Sequence, residues 1–442
     1  MTLRKHHAGF ALAVLFAVNL LNFFDRHLFG ALVEPIRREW SLTDAQIGWL
    51  GTAFTLLYAV AGVPLGRLSD RWRRTWILSI GLAAWSLLTA ASGLAWGYAS
   101  FFATRLGVGI GEATCAPAGN SLIGDFFPAR QRGFALSVFM LGLPLGNFLG
   151  TFFSGRIAAA YGWRAPFFIA CVPGLLLAAF VLLIAEPQRG AAESSSTLAG
   201  APASVPALAP ASPYRQVLRI PTMRWLVLSG ALFNFNNYAL NTFLPAFLMR
   251  YHALPLQRAA AVTAVALGLL GIPGLLLGGW AADFAHRWRE NGRLLLAAAA
   301  ILVCAPCMYL AFRRPAGDVT LFAVLMGGAF MISYIYYSCV YAAIQDIVPP
   351  NLRGTAMALY FFGMYLLGGS FGPVLTGRLS DIFAQRAMAA AGASVMTESF
   401  RTSGLHSALF AVPLSAFLLA AVLLAASRTI SADLRALSRV SS

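Results

Sequence analysis

The chain has 442 residues, 59% of them hydrophobic and only 11% charged, with a mean hydropathy of +0.72. Soluble domains carry about a quarter charged residues, so this balance excludes a soluble enzyme and predicts a membrane chain. The formal charge of +16 comes from 31 arginines, one lysine (Lys5) and 16 acids; with no lysine inside the fold there is no P-loop, and ATP-driven pumping by this chain alone is excluded.

A bilayer-crossing helix needs ~20 apolar residues. Hydropathy and turn residues predict helices over 9–31, 46–67, 75–96, 98–122, 132–155 and 165–185, then 222–249, 258–281, 293–312, 319–345, 354–378 and 404–427. The first run follows a short basic stretch (Arg4, Lys5, His6, His7) but holds Asp25 and Arg26 and has no small-residue cleavage site, so it reads as the first span rather than a signal peptide. Between the sixth and seventh runs, residues 187–221 are rich in Ala, Ser and Pro, a composition that cannot bury a core. The expected organisation is a six-helix bundle over 1–186, a cytoplasmic linker over 187–221 and a second bundle over 222–442, an all-α membrane protein of twelve transmembrane helices.

Orientation follows from the basic residues. With the N-terminus inside, 19 of the 32 fall in inner segments, which places both termini in the cytoplasm. The arginines sit between apolar runs rather than on one basic face, so the expected surroundings are the lipid bilayer and no nucleic acid partner. The Arg and Ala bias points to a bacterial inner membrane. The five cysteines all fall in apolar runs. Cys304 and Cys307 form a CxxC with no second ligand pair nearby, and packing is the expected role. The histidines are scattered, so no metal and no cofactor are expected.

The two halves repeat. Asp125, Pro128, Arg132, Gly133 and Ala135 after the fourth helix recur as Asp346, Pro349, Arg353, Gly354 and Ala356 after the tenth, at a constant offset of 221. Gly66-Arg-Leu-Ser-Asp70 ends helix 2, Gly279-Trp-Ala-Ala-Asp283 ends helix 8 and Gly377-Arg-Leu-Ser-Asp381 ends helix 11. Such nested repeats are the sequence trace of a symmetric transporter.

At these residues the chain resembles the major facilitator superfamily, whose signature Gly-x-x-x-Asp-Arg-x-Gly-Arg-Arg stands here as Gly66-Arg-Leu-Ser-Asp70-Arg71-Trp-Arg73-Arg74, with Arg73 where the second glycine is usual. Asn22-Phe-Phe-Asp25-Arg26, Arg105-Leu-Gly-Val-Gly-Ile-Gly-Glu112 and Glu186-Pro-Gln-Arg-Gly190 resemble its bacterial Spinster-like branch, which implies lysolipid or sphingoid substrates and proton coupling. The organic-anion symporter branch shares the Asp-Arg pair. The resemblance also implies that the Gly66, Asp70, Arg71, Arg74 and Asp125 cluster is a cytoplasmic gate that latches the outward-open state. In that gate Asp70 accepts backbone hydrogen bonds from a neighbouring helix N-terminus, and Arg71 and Arg74 pair with Asp125.

Charges at bilayer depth cost ~2.5–3.5 kcal/mol each on insertion scales. Asp25, Arg26, Arg105 and Glu112 must therefore face protein or water, and they are the expected proton-coupling and substrate group. Arg105 and Glu112 share a face of helix 4, and Asp25 is expected to reach Arg105. The second half offers instead Asn234, Asn237 and Asn241, and Tyr334, Tyr337 and Tyr341, each set on one helix face. A charged wall with an aromatic and amide wall suits an amphiphile. Gly142, Gly146 and Gly150 have the spacing for close helix packing. Gly368-Gly-Ser370-Phe-Gly372 matches the serine-hydrolase pattern but falls within a helix.

The reading is a secondary active transporter, not an enzyme. It moves a small amphiphilic or lipid-like solute with protons, by alternating access, as a functional monomer. The alternatives are an organic-anion symporter or drug efflux transporter of the same superfamily and, in another class, a membrane-embedded lipid enzyme, for which no nucleophile with its base is present.

Overall fold

The computed structural model describes residues 2–189, 213–349 and 352–441. Among the described residues every element is helical. The long helices are α1 (Thr2–Glu39), α2 (Asp44–Arg71), α3 (Arg74–Gly93), α4 (Tyr98–Glu112 continuing as Cys115–Phe126), α5 (Ala129–Met140 and Gly142–Tyr161) and α6 (Ala165–Leu182). They are followed by α7 (Pro221–Arg250), α8 (Leu256–Thr263 to Gly271–Trp288), α9 (Gly292–Phe312), α10 (Val319–Ser333 and Ile335–Ile347), α11 (Arg353–Gly363 to Ser370–Ala390) and α12 (Glu398–Leu409 and Ala411–Ser441). Most of the expected 187–221 linker lies outside the described residues; its end carries a short helix, Pro213–Arg219, that hydropathy does not reveal.

The helices outrun their apolar cores. The first run, expected over 9–31, extends to Glu39 with Pro35 inside it, and α12 reaches far past 427. Polar capping continues what hydropathy begins. Thr43 and Gln46 exchange hydrogen bonds at the start of α2 (2.9 and 3.2 Å), the reciprocal box that satisfies two orphan donors. Pro221 opens α7, where a missing N–H costs nothing.

Among the described residues ten helical stretches are long and apolar enough to cross a membrane. The remaining two of the twelve, α4 and α7, carry the functional candidates: α4 is interrupted just after Glu112, and α7 holds Asn234, Asn236, Asn237 and Asn241. Wide turns at Ala264–Leu269 in α8 and Met364–Gly369 in α11 mark further breaks, of the kind that gather at functional sites.

The chain divides into two compact units, one comprising Met1–Leu32 and Ala53–Leu208, the other Val33–Thr52 and Ala209–Ser442. The end of α1 and the start of α2 thus pack with the second unit. In the first unit α3 packs on α4 and α6 around Leu78, Leu82, Trp85, Val108 and Phe139. Gly146 of α5 lies against α1; a Cβ there would sit 2.5 Å from the Leu20 carbonyl oxygen and 2.6 Å from Phe23 Cβ, so only glycine permits that approach. In the second unit Gly274 of α8 meets the Met331 carbonyl of α10 in the same way.

Candidate functional site

In the first unit Asp25 and Arg26 of α1 and Arg105 and Glu112 of α4 are all buried. Asp25 stands within electrostatic reach of Arg105, as expected, and a second pairing is added. Glu112 takes Arg26: Arg26 Nε donates to Glu112 Oε2 at 2.8 Å, and Asn22 Nδ2 donates to the same oxygen at 3.0 Å. Asn22 and Arg26 are four apart, so one turn of α1 presents both donors to one carboxylate. Asp25 Oδ2 accepts from the indole Nε1 of Trp85 on α3, at 3.2 Å. Glu112 Oε1 and Asp25 Oδ1 are buried with no hydrogen-bond partner.

Aromatic faces complete the arginine shells. The Arg26 guanidinium carbon lies 4.1 Å from the Tyr58 ring centre and 4.9 Å from that of Phe23; that of Arg105 lies 5.1 Å from the Phe54 centre and 5.5 Å from that of Phe29. These rings hold a guanidinium through their negative faces. Trp85 and Tyr58 are contributions that the sequence reading passes over. A fully buried tryptophan needs an acceptor for its single donor, and that rule is the signal that could have drawn attention to Trp85.

In the second unit Tyr334, Tyr337 and Tyr341 form a ladder along α10, with ring centres 5.5 Å apart at each step. Phe233 of α7 stacks on Tyr336 at 4.2 Å, and the Tyr336 hydroxyl links to Ser229 (2.8 Å) and Tyr360 (3.0 Å). Asn241 donates to the Asn237 side chain (2.6 Å) and carbonyl (2.8 Å), and Asn234 donates to the Met364 carbonyl at 3.3 Å, in the wide turn of α11. The aromatic set is therefore larger than the three expected tyrosines, joined by Tyr336 and by Tyr360 of α11, whose ring centre is 5.7 Å from that of Tyr341. Ser370 of the hydrolase-like pattern donates to the Tyr365 carbonyl at 3.1 Å, five residues back across the wide turn of α11.

At the expected gate Arg74 binds Asp125 and, at 2.8 Å, Glu186. Arg71 is exposed, Gly66 lies at the α2–α4 approach with Pro117 4.0 Å from its Cβ position, and the Asp70 side chain lies outside what is described. Glu186 also accepts from the Arg74 and Thr75 backbone N–H groups (3.2 and 3.0 Å) and the Thr75 hydroxyl (2.8 Å), capping α3. Burial alone would raise its pKa, but these donors together hold it below the ordinary glutamate value. The second half repeats the arrangement with Arg293, which binds Asp346 and, at 3.1 Å, Asp283.

A further polar cluster, not expected from sequence, holds Val33–Thr52 within the second unit. Arg250, at the end of α7, donates to Glu34 at 2.7 Å and makes a two-pronged contact to Asp44 at 2.8 and 2.9 Å. Arg37 bridges Glu34 (2.9 Å) and Glu398 (2.7 Å), and Ser380 donates to Asp44 at 2.6 Å. Asp381 accepts the backbone N–H groups of Asp44 and Ala45 at 3.1 and 2.9 Å. The capping geometry anticipated for Asp70 is thus made by its repeat counterpart, Asp381, on the N-terminus of α2.

Helical bundles with ion pairs buried in their spanning helices define a multi-pass membrane protein. The pattern of the Major Facilitator Superfamily matches residues 15–373, and the chain belongs to that family. It is 32% identical over 372 residues to an MFS-type efflux pump of Mycolicibacterium smegmatis (strain ATCC 700084 / mc(2)155), covering 84% of each chain. It is 29% identical over 415 residues to Protein spinster homolog 3 of Mus musculus, covering 86% of this chain and 76% of that one. Its fold is similar to the crystal structure of a bacterial homologue of the human lysosomal transporter Spinster in an inward-facing, unoccupied conformation, with TM-score 0.84 and 26% identity, covering 97% and 98% of the two chains. The transporter is Spinster-like.

Proposed function

We propose that this transporter moves a small amphiphilic or lipid-like solute coupled to protons, with Glu112 and Asp25 as the proton-accepting groups. The observation that carries the reading is the buried Arg26–Glu112 pair beside Asp25, with one oxygen of each carboxylate left without a partner. Formal charge over Asp25, Arg26, Arg105 and Glu112 sums to zero. A proton on Glu112 cancels the anion that holds Arg26 and leaves that guanidinium among aromatic faces, ready to change partner. The pair is then a switch read by the occupancy of one proton.

The lopsided chemistry of the repeats supports the solute class. Charge is concentrated on α1 and α4, whereas their repeat counterparts α7 and α10 supply amides and tyrosines, which suit an apolar body with a polar head. Similarity to Spinster proteins agrees with a lipid-like solute, and similarity to an efflux pump favours outward movement. A carboxylate clamp for organic anions would require Arg26 to give up Glu112, which weighs against the anion reading. The basic-residue count supports cytoplasmic termini in a bacterial inner membrane, with a monomer as the working unit. The Arg250 cluster is the proposed gate on the opposite side.

The test is transport in proteoliposomes under an imposed pH gradient, with a fluorescent lysophospholipid as probe. Wild type should respond to the gradient. Asp25→Asn and Glu112→Gln should retain probe binding and lose gradient dependence. Full gradient dependence in both variants overturns the coupling role.

A further inference from the structure

A groove of about 780 Å³ runs along α3 in the first unit, bounded by α2, α3 and α4. Its polar end is the α2–α3 turn, where Arg71, Trp72 and Arg73 are exposed; its other end is walled by Ala84 and Leu88 of α3 and by Gly107 and Ile110 of α4. The floor is low because α3 and α4 approach closely: a Cβ on Gly81 would fall 2.2 Å from Thr114 Oγ1.

The dimensions match one leaflet. From Arg73 to Leu88 a helix rises about 22 Å, half of the ~40–45 Å bilayer with its headgroup layers. The groove therefore runs from headgroup depth to the midplane. Trp72 and Trp76 are 65% and 52% exposed at its polar end, where amphipathic rings settle in a membrane.

Among the described residues the lining of that end carries Arg71 and Arg73 and no carboxylate. Arg74, next in sequence, turns away to Asp125 and Glu186, while Arg189 folds over the turn and donates to the Ser69 and Trp72 carbonyls at 2.7 and 3.0 Å. Arg73 itself occupies the signature position where glycine is usual, and Thr75 stands where the signature ends in arginine, so the cation is shifted toward the start of the turn.

We infer that the groove binds an anionic phospholipid, its phosphate between Arg71 and Arg73 and one acyl chain laid along Trp76, Ile80 and Leu88. The site is independent of the proposed transport chemistry, and its occupant is a resident lipid of the leaflet. A guanidinium pair favours a net-negative headgroup over a zwitterionic one, because a choline group brings a second cation to the same place.

Native mass spectrometry of the full-length protein decides this, using phosphatidylglycerol and phosphatidylcholine with identical chains as probes. Wild type should retain one phosphatidylglycerol at least tenfold more tightly than phosphatidylcholine. Arg73→Gln should weaken phosphatidylglycerol about fivefold, the effect of one basic residue at an anionic surface, and leave phosphatidylcholine unchanged. Ala84→Trp, at an exposed position, fills the apolar half and should weaken both lipids. Equal retention of the two lipids by wild type, or a preference that survives both substitutions, overturns the proposal.

Discussion

Removing the Arg250 guanidinium tests whether the cluster around Asp44 acts as one unit. Arg250, Glu34 and Asp44 side chains are 1%, 0% and 3% exposed, so Arg250→Ala strands buried carboxylates rather than surface ones. Breaking a buried pair by deleting one partner costs about 3–5 kcal/mol. Glu34 keeps Arg37 and Arg38 at 2.9 and 2.8 Å, whereas Asp44 is left with Ser380 and the nearby Asp381 carboxylate, so the loss falls on Asp44 and should lie near the lower bound. At about 2–4 °C per kcal/mol for a unit of this size, the expected drop in melting temperature is about 6–12 °C. The free cysteines supply the assay. Cys115, Cys171, Cys304 and Cys339 are buried, and a thiol-reactive fluorophore reports their exposure on heating in detergent. The decisive arm is the double variant Arg250→Ala/Asp44→Asn, which removes the stranded charge and should melt above Arg250→Ala alone, a coupling that independent sites do not show. A double variant that melts at the sum of the single losses would refute the cooperative cluster.

Further expectations concern single contacts. Trp85→Phe keeps the ring but removes the donor to Asp25, and should cost about 1.5–3 kcal/mol, as for a hydrogen bond to a charged group, seen as a lower melting temperature together with altered gradient-driven uptake; an unchanged protein on both counts would remove Trp85 from the site. Gly146→Ala forces a methyl group against the Leu20 carbonyl and should cost about 1–3 kcal/mol, by the same melting assay. Because the folded pKa of Glu186 is depressed, its contribution is full above the ordinary value of about 4.3 and lost as pH falls through the lower folded value. Wild type should therefore hold its melting temperature down to about pH 5 and lose it below, while Glu186→Gln starts lower and falls less steeply on the acid side.

The architecture was legible because the bilayer leaves few choices. Backbone groups in hydrocarbon must bond within the segment, so an apolar run of sufficient length is a helix, and the run from Ala165 needs no tertiary information. The buried charges were legible for the same reason, since Asp25, Arg26, Arg105 and Glu112 are too costly at depth to be incidental. Which acid meets which base was not. Helix spacing places Arg105 and Glu112 on one face of α4 but leaves the rotation of α1 free, and that rotation decides whether Glu112 faces Arg26 or another group. Trp85 escaped notice because an indole in an apolar run is indistinguishable from packing until an acceptor is placed beside it.

The Arg250 cluster shows a different limit. Its members come from the ends of helices, where topology counting treats Arg37, Arg38 and Arg250 as mere orientation charges. Yet Glu34 and Asp44 are as buried as the residues at membrane depth, and Asp381 spends both oxygens on the first turn of α2. The Gly-Arg-Leu-Ser-Asp sequence occurs twice, closing α2 at Asp70 and standing nine residues before the end of α11 at Asp381. In the twelve-helix topology expected from the sequence, helices 2 and 11 run in opposite directions. We propose that the two copies of this motif act as chemically similar latches in an alternating-access cycle. Strengthening one latch should then weaken occupancy of the other, so Asp381→Asn and Asp70→Asn should shift spin-label distances in opposite senses; shifts of the same sense would show that the two carboxylates are not counterparts.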